Sequence, residues 1–254
     1  MVTIDRERCI GCGACIRGCS MGVFVMGEAG PEVHPKRRCI ACMHCAAACP
    51  REAIGFSELT EAEVYPPMPE DALEQLLKTR RSIRHFQEKL PPKELIEKAL
   101  DTAVYAPSGK NQRAYEFTVL WGIDKTRALR DRAIGLCDQV GEAPELGKLL
   151  RKGTDLLTCN APVMIVAWSP DDCLNPVLDP AVAMAQLELC LVRSGLGSCW
   201  GGYLRQISDR FPELREMLGI REGCRVRCAL MTGYADKEKY IRSVWRPRAN
   251  VTWI

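Results

Sequence analysis

The chain has 254 residues, a formal net charge of +3 and 47% hydrophobic residues, which suits one large domain, or a normal domain with a small one, at roughly 150 residues per domain. Near-neutral charge without long basic runs excludes an electrostatic nucleic-acid binder. The longest uncharged stretch, Leu156 to Pro170, is 15 residues, too short for a membrane-spanning helix. Asp5, Arg6, Glu7 and Arg8 precede any apolar run, so the sequence predicts no signal peptide and a reducing, cytoplasmic setting.

Fifteen cysteines are the compositional anomaly, and eight of them lie between Cys9 and Cys49. Cys9, Cys12, Cys15 and Cys19 follow the spacing C-x2-C-x2-C-x3-C, and Cys39, Cys42, Cys45 and Cys49 repeat it 30 residues later, with Pro50 following. Three thiolates at such short intervals can converge on one face of an iron-sulfur cube, with the fourth turned towards a second cluster. Zinc is the alternative for CxxC pairs, but structural zinc sites usually use two separated pairs. The small residues Gly11, Gly13, Ala14, Ala41, Ala46 and Ala47 also let backbone N–H groups approach sulfide. Residues 1–56 resemble the bacterial two-cluster 4Fe-4S ferredoxins, although Ser20 stands where that family usually has proline. The resemblance implies that Cys9, Cys12, Cys15 and Cys49 hold one 4Fe-4S cluster, and Cys19, Cys39, Cys42 and Cys45 the other. Between the repeats, Val23 to Met26 and Glu32 to His34 predict a short hairpin.

Residues 57–69, with three glutamates and three prolines, predict a stiff linker. Residues 70–254 then alternate helix and strand patterns. Leu95, Ile96, Ala99, Leu100, Ala103 and Val104 form a helical stripe after Pro91 and Pro92. Tyr115 to Trp121 and Pro162 to Trp168 predict strands, the second fully buried. Asp179 and Pro180 predict an N-cap and first-turn proline for an apolar helix over Ala181 to Val192. Phe211 to Leu218 predicts another helix, and Val226 to Tyr234 a last strand. Together these make an α+β or α/β domain with a sheet of few strands.

No Rossmann fingerprint or P-loop is present. The segment Arg80-Arg81-Ser82-Ile83-Arg84-His85-Phe86 can grip a phosphate through charge-assisted bonds, although alone it also fits a solvated helix end. Ala106-Pro107-Ser108-Gly109-Lys110-Asn111 predicts a polar loop. Gly195 to Tyr203, sequence GLGSCWGGY, predicts a second loop where missing side chains admit a flat ring.

In this order, with the tail GYADKEKYIRSVWRPRANVTW, these motifs resemble the FMN-dependent nitroreductase family over residues 70–254. The resemblance implies a three-layer α/β/α fold and a homodimer with FMN at the subunit interface. It further implies that Arg80, Ser82 and Arg84 contact the FMN phosphate or ribityl chain, and that Asn111, with Pro107 and Ser108, bonds the flavin. Cys199, Trp200, Gly201 and Gly202 would line the isoalloxazine, and Arg242 or Arg246 would meet the phosphate. Two departures bear on substrate and reductant. Asn111 to Phe117 reads NQRAYEF where many relatives have NxQPWxF, and Gly201 replaces a glutamate of nicotinamide-using members.

The combined expectation is an oxidoreductase in which a low-potential electron-donor protein or enzyme charges two 4Fe-4S clusters. These feed FMN, which reduces a nitroaromatic, quinone-like or related electrophilic acceptor with no protein nucleophile. Flavin fragmentation, reductive dehalogenation and a non-catalytic carrier or redox sensor are the competing readings. Residues 124–157 could form a lid over the flavin, and Trp245 and Trp253 could anchor the tail on a partner subunit.

Overall fold

The computed structural model describes residues 2–56, 69–139, 155–236 and 248–254. It divides into two compact units, one comprising Met1–Pro67 with Lys110–Gln112 and the other Met68–Gly109 with Arg113–Ile254. Most of the expected linker, residues 140–154 of the expected lid, Trp245 and both tail arginines, Arg242 and Arg246, lie outside the described residues.

The first unit is built twice over. Strand β1 (Val2–Ile4) pairs antiparallel with β4 (Ile54–Phe56), and β2 (Phe24–Gly27) pairs with β3 (Gly30–Val33) as the expected hairpin. Two four-residue helices, α1 (Ala14–Arg17) and α2 (His44–Ala47), occupy the same place in each repeat. Val2, Val23, Phe24 and Ile54 form a core with Cys15 and Cys45, so the cysteine-bearing helices are packed against the little apolar surface available.

In the second unit, α3 (Ala72–Thr79) leads into the basic segment, and α4 (Lys93–Ala103) buries Ile96, Ala99 and Ala103 along the predicted stripe. Four strands follow: β5 (Glu116–Trp121), β6 (Val163–Pro170), β7 (Gly197–Trp200) and β8 (Cys224–Gly233), in the spatial order β5-β6-β8-β7, all antiparallel. The remaining helices are α5 (Ile123–Gln139), α6 (Leu178–Arg193), α7 (Gly202–Arg210) and α8 (Pro212–Met217).

Strand alternation makes the layers. Val163, Ile165 and Ala167 of β6 join α4 and α6 in one core, whereas Met164, Val166 and Trp168 join α5, α7 and α8 in another. The sheet is thus covered on both faces, a three-layer α/β/α arrangement, and β6 reads as a continuous apolar run because neither face meets water. β8 changes parity midway. Ala167 pairs with Cys228 but Trp168 with Val226, so Arg227 is a bulged residue. Its guanidinium caps the strand ends through Ser169, the Pro170 carbonyl and Asp171.

Two local expectations are corrected. Asp179 is not the N-cap of α6: Val177 is, and Asp179 sits in the first turn with its carboxylate engaged elsewhere. GLGSCWGGY is not a loop. Gly197–Trp200 is strand β7 and Gly202 opens α7, because pairing with β8, Ser198 opposite Thr232, overrides a glycine-rich local sequence.

Candidate functional site

In the first unit the eight cysteines fall into two sets around two cavities. Cys9, Cys12, Cys15 and Cys49 line one, and Cys19, Cys39, Cys42 and Cys45 line the other. Tight left-handed turns bring them there. Gly13 at φ 69° precedes α1, and Met43 at φ 64° precedes α2. Backbone N–H groups are aimed at sulfur: Val23 donates to Cys19 Sγ, Ala41 to Cys39 Sγ and Ala53 to Cys49 Sγ, each at 3.3 Å. Such bonds stabilise thiolates and help set the potential of a bound cluster.

The thiols of each set surround a space rather than close on a point. Among the described residues no three His, Cys, Asp or Glu side chains converge on a single-ion position. A lone zinc ion needs four sulfurs at about 2.3 Å, whereas a four-iron cube fills the space between its thiolates. Burial pushes the Cys45 thiol up to about 11 and raises that of Cys15 as well. A cationic metal core bound there would have to draw these protons off.

The second unit brings Arg80, Ser82 and Arg84 beside Cys199–Gly202. Ser82 bridges in parallel to Ser198, and Ile83 N–H donates to the Ser198 carbonyl at 2.8 Å, so the basic segment extends the β7 edge of the sheet. Gly197 permits this approach, since a Cβ there would stand 2.8 Å from Ile83 Cγ1. One buried carboxylate ties the pieces together. Glu188, whose side chain is 7% exposed, accepts from Arg80 Nη1 at 3.2 Å, Ser198 Oγ at 2.8 Å and Trp200 Nε1 at 2.9 Å. Sequence reasoning did not assign Glu188 to the site. Its signal was a charge inside an otherwise apolar helix, which demands partners once buried.

Arg84, Cys199, Trp200, Gly202 and Tyr203 line a cavity of about 310 Å³, within the ordinary range of small-molecule sites. Among the described residues nothing lies within 4 Å of the position a Gly202 Cβ would take, which leaves room for a planar ring. Two guanidinium groups and a bare backbone strip form a donor set that fits a phosphorylated flavin. Cys199 is 3% exposed, and burial raises its thiol pKa, with Arg84 opposing.

The loop of Pro107, Ser108 and Asn111 is held by other contacts. Asp179 Oδ2 accepts the Gly109 N–H at 3.0 Å while its Oδ1 accepts Asn175 Nδ2 at 3.2 Å. Ser108 Oγ accepts from Arg113 N at 3.1 Å. Asn111 belongs to the first unit, where its Nδ2 donates to the carbonyls of Ile40 and Ala41 at 2.8 and 3.0 Å.

Residues 77–234 match the nitroreductase family model, and residues 8–54 match the 4Fe-4S dicluster domain model. The chain is 32% identical over 166 residues, 65% of its length and 86% of the relative's, to an Archaeoglobus fulgidus protein named as a candidate NADH dehydrogenase/NAD(P)H nitroreductase. An FMN-dependent nitroreductase of Clostridium difficile is similar at 29% identity and TM-score 0.52, covering 66% of this chain and 90% of that one. A Bacteroides fragilis nitroreductase with bound FMN shares the fold at TM-score 0.62 and 23% identity, covering 72% and 98%. No helix among the described residues is long and apolar enough to cross a membrane.

Proposed function

This chain belongs to the nitroreductase family, and on that premise we propose that it is an oxidoreductase relaying electrons through two 4Fe-4S clusters to FMN, for reduction of a nitroaromatic, quinone-like or related electrophilic acceptor. The observation that carries this reading is the coexistence, in one chain, of two four-cysteine cages and the Arg80–Glu188–Ser198 assembly beside an open cavity. Clusters exchange single electrons and a flavin one or two, so together they would supply a relay ending in two-electron chemistry.

The residues of the chain have separable tasks. Cys9, Cys12, Cys15 and Cys49 would hold one cluster, and Cys19, Cys39, Cys42 and Cys45 the other. Arg80 and Arg84 would neutralise the FMN phosphate, with Ser82 beside them and with Arg242 or Arg246 of the tail. Glu188 fixes Arg80 and the Trp200 indole, and the Cys199–Gly202 strip would lie along the ring. Asn111, Pro107 and Ser108 remain the expected flavin contacts of the polar loop. Leu73, Leu77, Tyr105, Val177 and Leu178 are exposed apolar residues of the second unit, which supports burial in a homodimer. Trp253, 91% exposed, is a candidate for the same interface.

The deciding experiment is anaerobic purification with iron, sulfide and flavin counted per chain. About eight irons and one FMN are expected; a preparation with neither defeats the proposal. Cys12→Ser or Cys42→Ser should slow FMN reduction by a low-potential donor yet leave chemically reduced FMN reactive. Donor-driven reduction at the wild-type rate in both variants would exclude the relay. Product analysis across acceptors separates reduction from dehalogenation or flavin fragmentation, and a protein that turns over none of them is a carrier.

A further inference from the structure

The 30-residue repeat makes the two cages comparable position by position, and they differ in what lies outside. Cys12 is exposed, whereas its counterpart Cys42 is half-buried. Ile10 is 63% exposed, while Ile40 is partly covered and its carbonyl, with that of Ala41, is capped by Asn111. Beside the Cys12 loop stand a second exposed apolar side chain and an arginine. A Cβ on Gly13 would lie 3.5 Å from Met26 Cε and 3.3 Å from Arg17 Nη1, and Met26 is 59% exposed. Arg17 Nη1 also donates to the Cys12 carbonyl at 3.0 Å. Next to Cys49, Arg8 and Arg51 border a surface hollow that Glu52 shares, and Arg8 is loosely paired with Asp5 at 3.5 Å.

We propose that this face, with Ile10, Met26 and Cys12 at its centre and Arg8, Arg17 and Arg51 around them, is the docking port for an acidic one-electron carrier protein. The proposal rests on the reading that the cages hold iron-sulfur clusters. Electron tunnelling falls steeply with distance, so a carrier gains most by reaching the cage whose ligand is exposed. Apolar residues at the centre and arginines at the rim match the composition of protein interfaces, and the rim charges favour an anionic partner and speed its encounter. Redox encounters of this kind are small and short-lived. Each one moves a single electron from the reduced carrier, which is left oxidised, to the group held by Cys9, Cys12, Cys15 and Cys49; no bond is made or broken.

A competing basic run, Lys36-Arg37-Arg38, is also exposed and lies beside Cys39 of the other cage, but no ligand there is fully exposed. The test compares the two surfaces in the holoprotein, with an acidic flavodoxin as the probe. Titration calorimetry at low and high salt gives affinity, and stopped-flow gives the rate of cluster reduction by the reduced probe. For the wild type, affinity should weaken at least about tenfold as salt rises. The Arg8→Glu/Arg51→Glu variant should lose a similar factor at low salt together with most of the salt dependence. Lys36→Glu/Arg37→Glu/Arg38→Glu should bind and react within about twofold of the wild type.

Met26→Glu tests the same face from an exposed strand position should the double variant lose iron. The port is refuted if the probe binds the wild type without salt dependence. It is also refuted if Arg8→Glu/Arg51→Glu and Met26→Glu retain wild-type affinity and rate, or if the Lys36 triple variant is the one that fails. Iron content separates this from the reading beneath it. A wild type without iron defeats the cluster assignment itself, whereas iron-replete variants with unchanged docking defeat only the port.

Discussion

The Ser198 hydroxyl donates to Glu188 Oε1 at 2.8 Å, and that same oxygen takes Arg80 Nη1 at 3.2 Å. One carboxylate therefore joins the middle of α6 to the first residues of β7 and to the basic segment behind α3. The arrangement is one-sided: three donors share one acceptor group, so removing the acceptor leaves a cation, a hydroxyl and an indole N–H to find new partners. Glu188→Leu should lower unfolding stability by about 2 kcal/mol, less than a fully buried pair because Arg80 keeps 31% of its side chain exposed. It should also raise the FMN dissociation constant by about tenfold, as Arg80 is no longer aimed. Urea unfolding and fluorescence titration with FMN measure the two effects. If FMN affinity is untouched while stability falls, Glu188 serves the fold alone.

Asp179 does for the polar loop what Glu188 does for the basic segment. Its buried carboxylate holds the Gly109 N–H and the Asn175 amide, and a Cβ on Gly109 would come within 2.5 Å of Asn175 Nδ2. The Pro107–Gly109 turn is thus seated tightly on the start of α6. Asp179→Ala should cost about 1–3 kcal/mol and speed hydrogen exchange at the Gly109 amide specifically. Unchanged protection of that amide would show that the turn holds its shape without the carboxylate.

These two carboxylates also mark where sequence reading stopped. The grouping of the cage cysteines was legible because their spacing is local: the same residues that form the motif form the wall. β6 was legible because burial on both faces writes an unbroken apolar run. β7 was not, since Gly197–Trp200 has no strand pattern of its own and owes its conformation to β8 and to the Ser82–Ser198 bridge. Glu188 was visible as a charge in an apolar helix, but its partners are fixed by tertiary packing, and Arg80 is 108 residues away. Asp179 looked like a cap because Asp-Pro usually is one. Here the turn is supplied from Val177, and the carboxylate is free to hold the Gly109 N–H.

The repeat offers a direct test of backbone cost. Gly13 and Met43 occupy equivalent turns at φ 69° and 64°, a region that costs a non-glycine residue roughly 1–2 kcal/mol. Gly13→Ala should therefore destabilise the first unit by about 1 kcal/mol, whereas Met43→Gly should be neutral or stabilise it by up to about 1 kcal/mol, the gain being offset by the entropy of an added glycine. Anaerobic thermal loss of visible absorbance reports both changes. Destabilisation by Met43→Gly would mean that the Met43 side chain contributes packing that outweighs its backbone strain.

Burial pushes the thiols of Cys159 and Cys228 up to about 12, while an unfolded thiol titrates near 8.5. For Cys159 the neighbouring Cys199 and Asp155 add to the effect and Arg84 opposes it. The folded state thus keeps protons that the unfolded state releases. The stabilisation from these groups is complete below about pH 8.5 and is lost as pH rises from there towards 12, at up to about 1.4 kcal/mol per pH unit for each thiol. At pH 8 burial keeps both thiols protonated in the folded state, so iodoacetamide should label both residues far more slowly in the native protein than in urea. Peptide-level mass spectrometry of timed labelling measures this. Native-state labelling of Cys159 or Cys228 at the unfolded rate would show that burial does not govern that thiol.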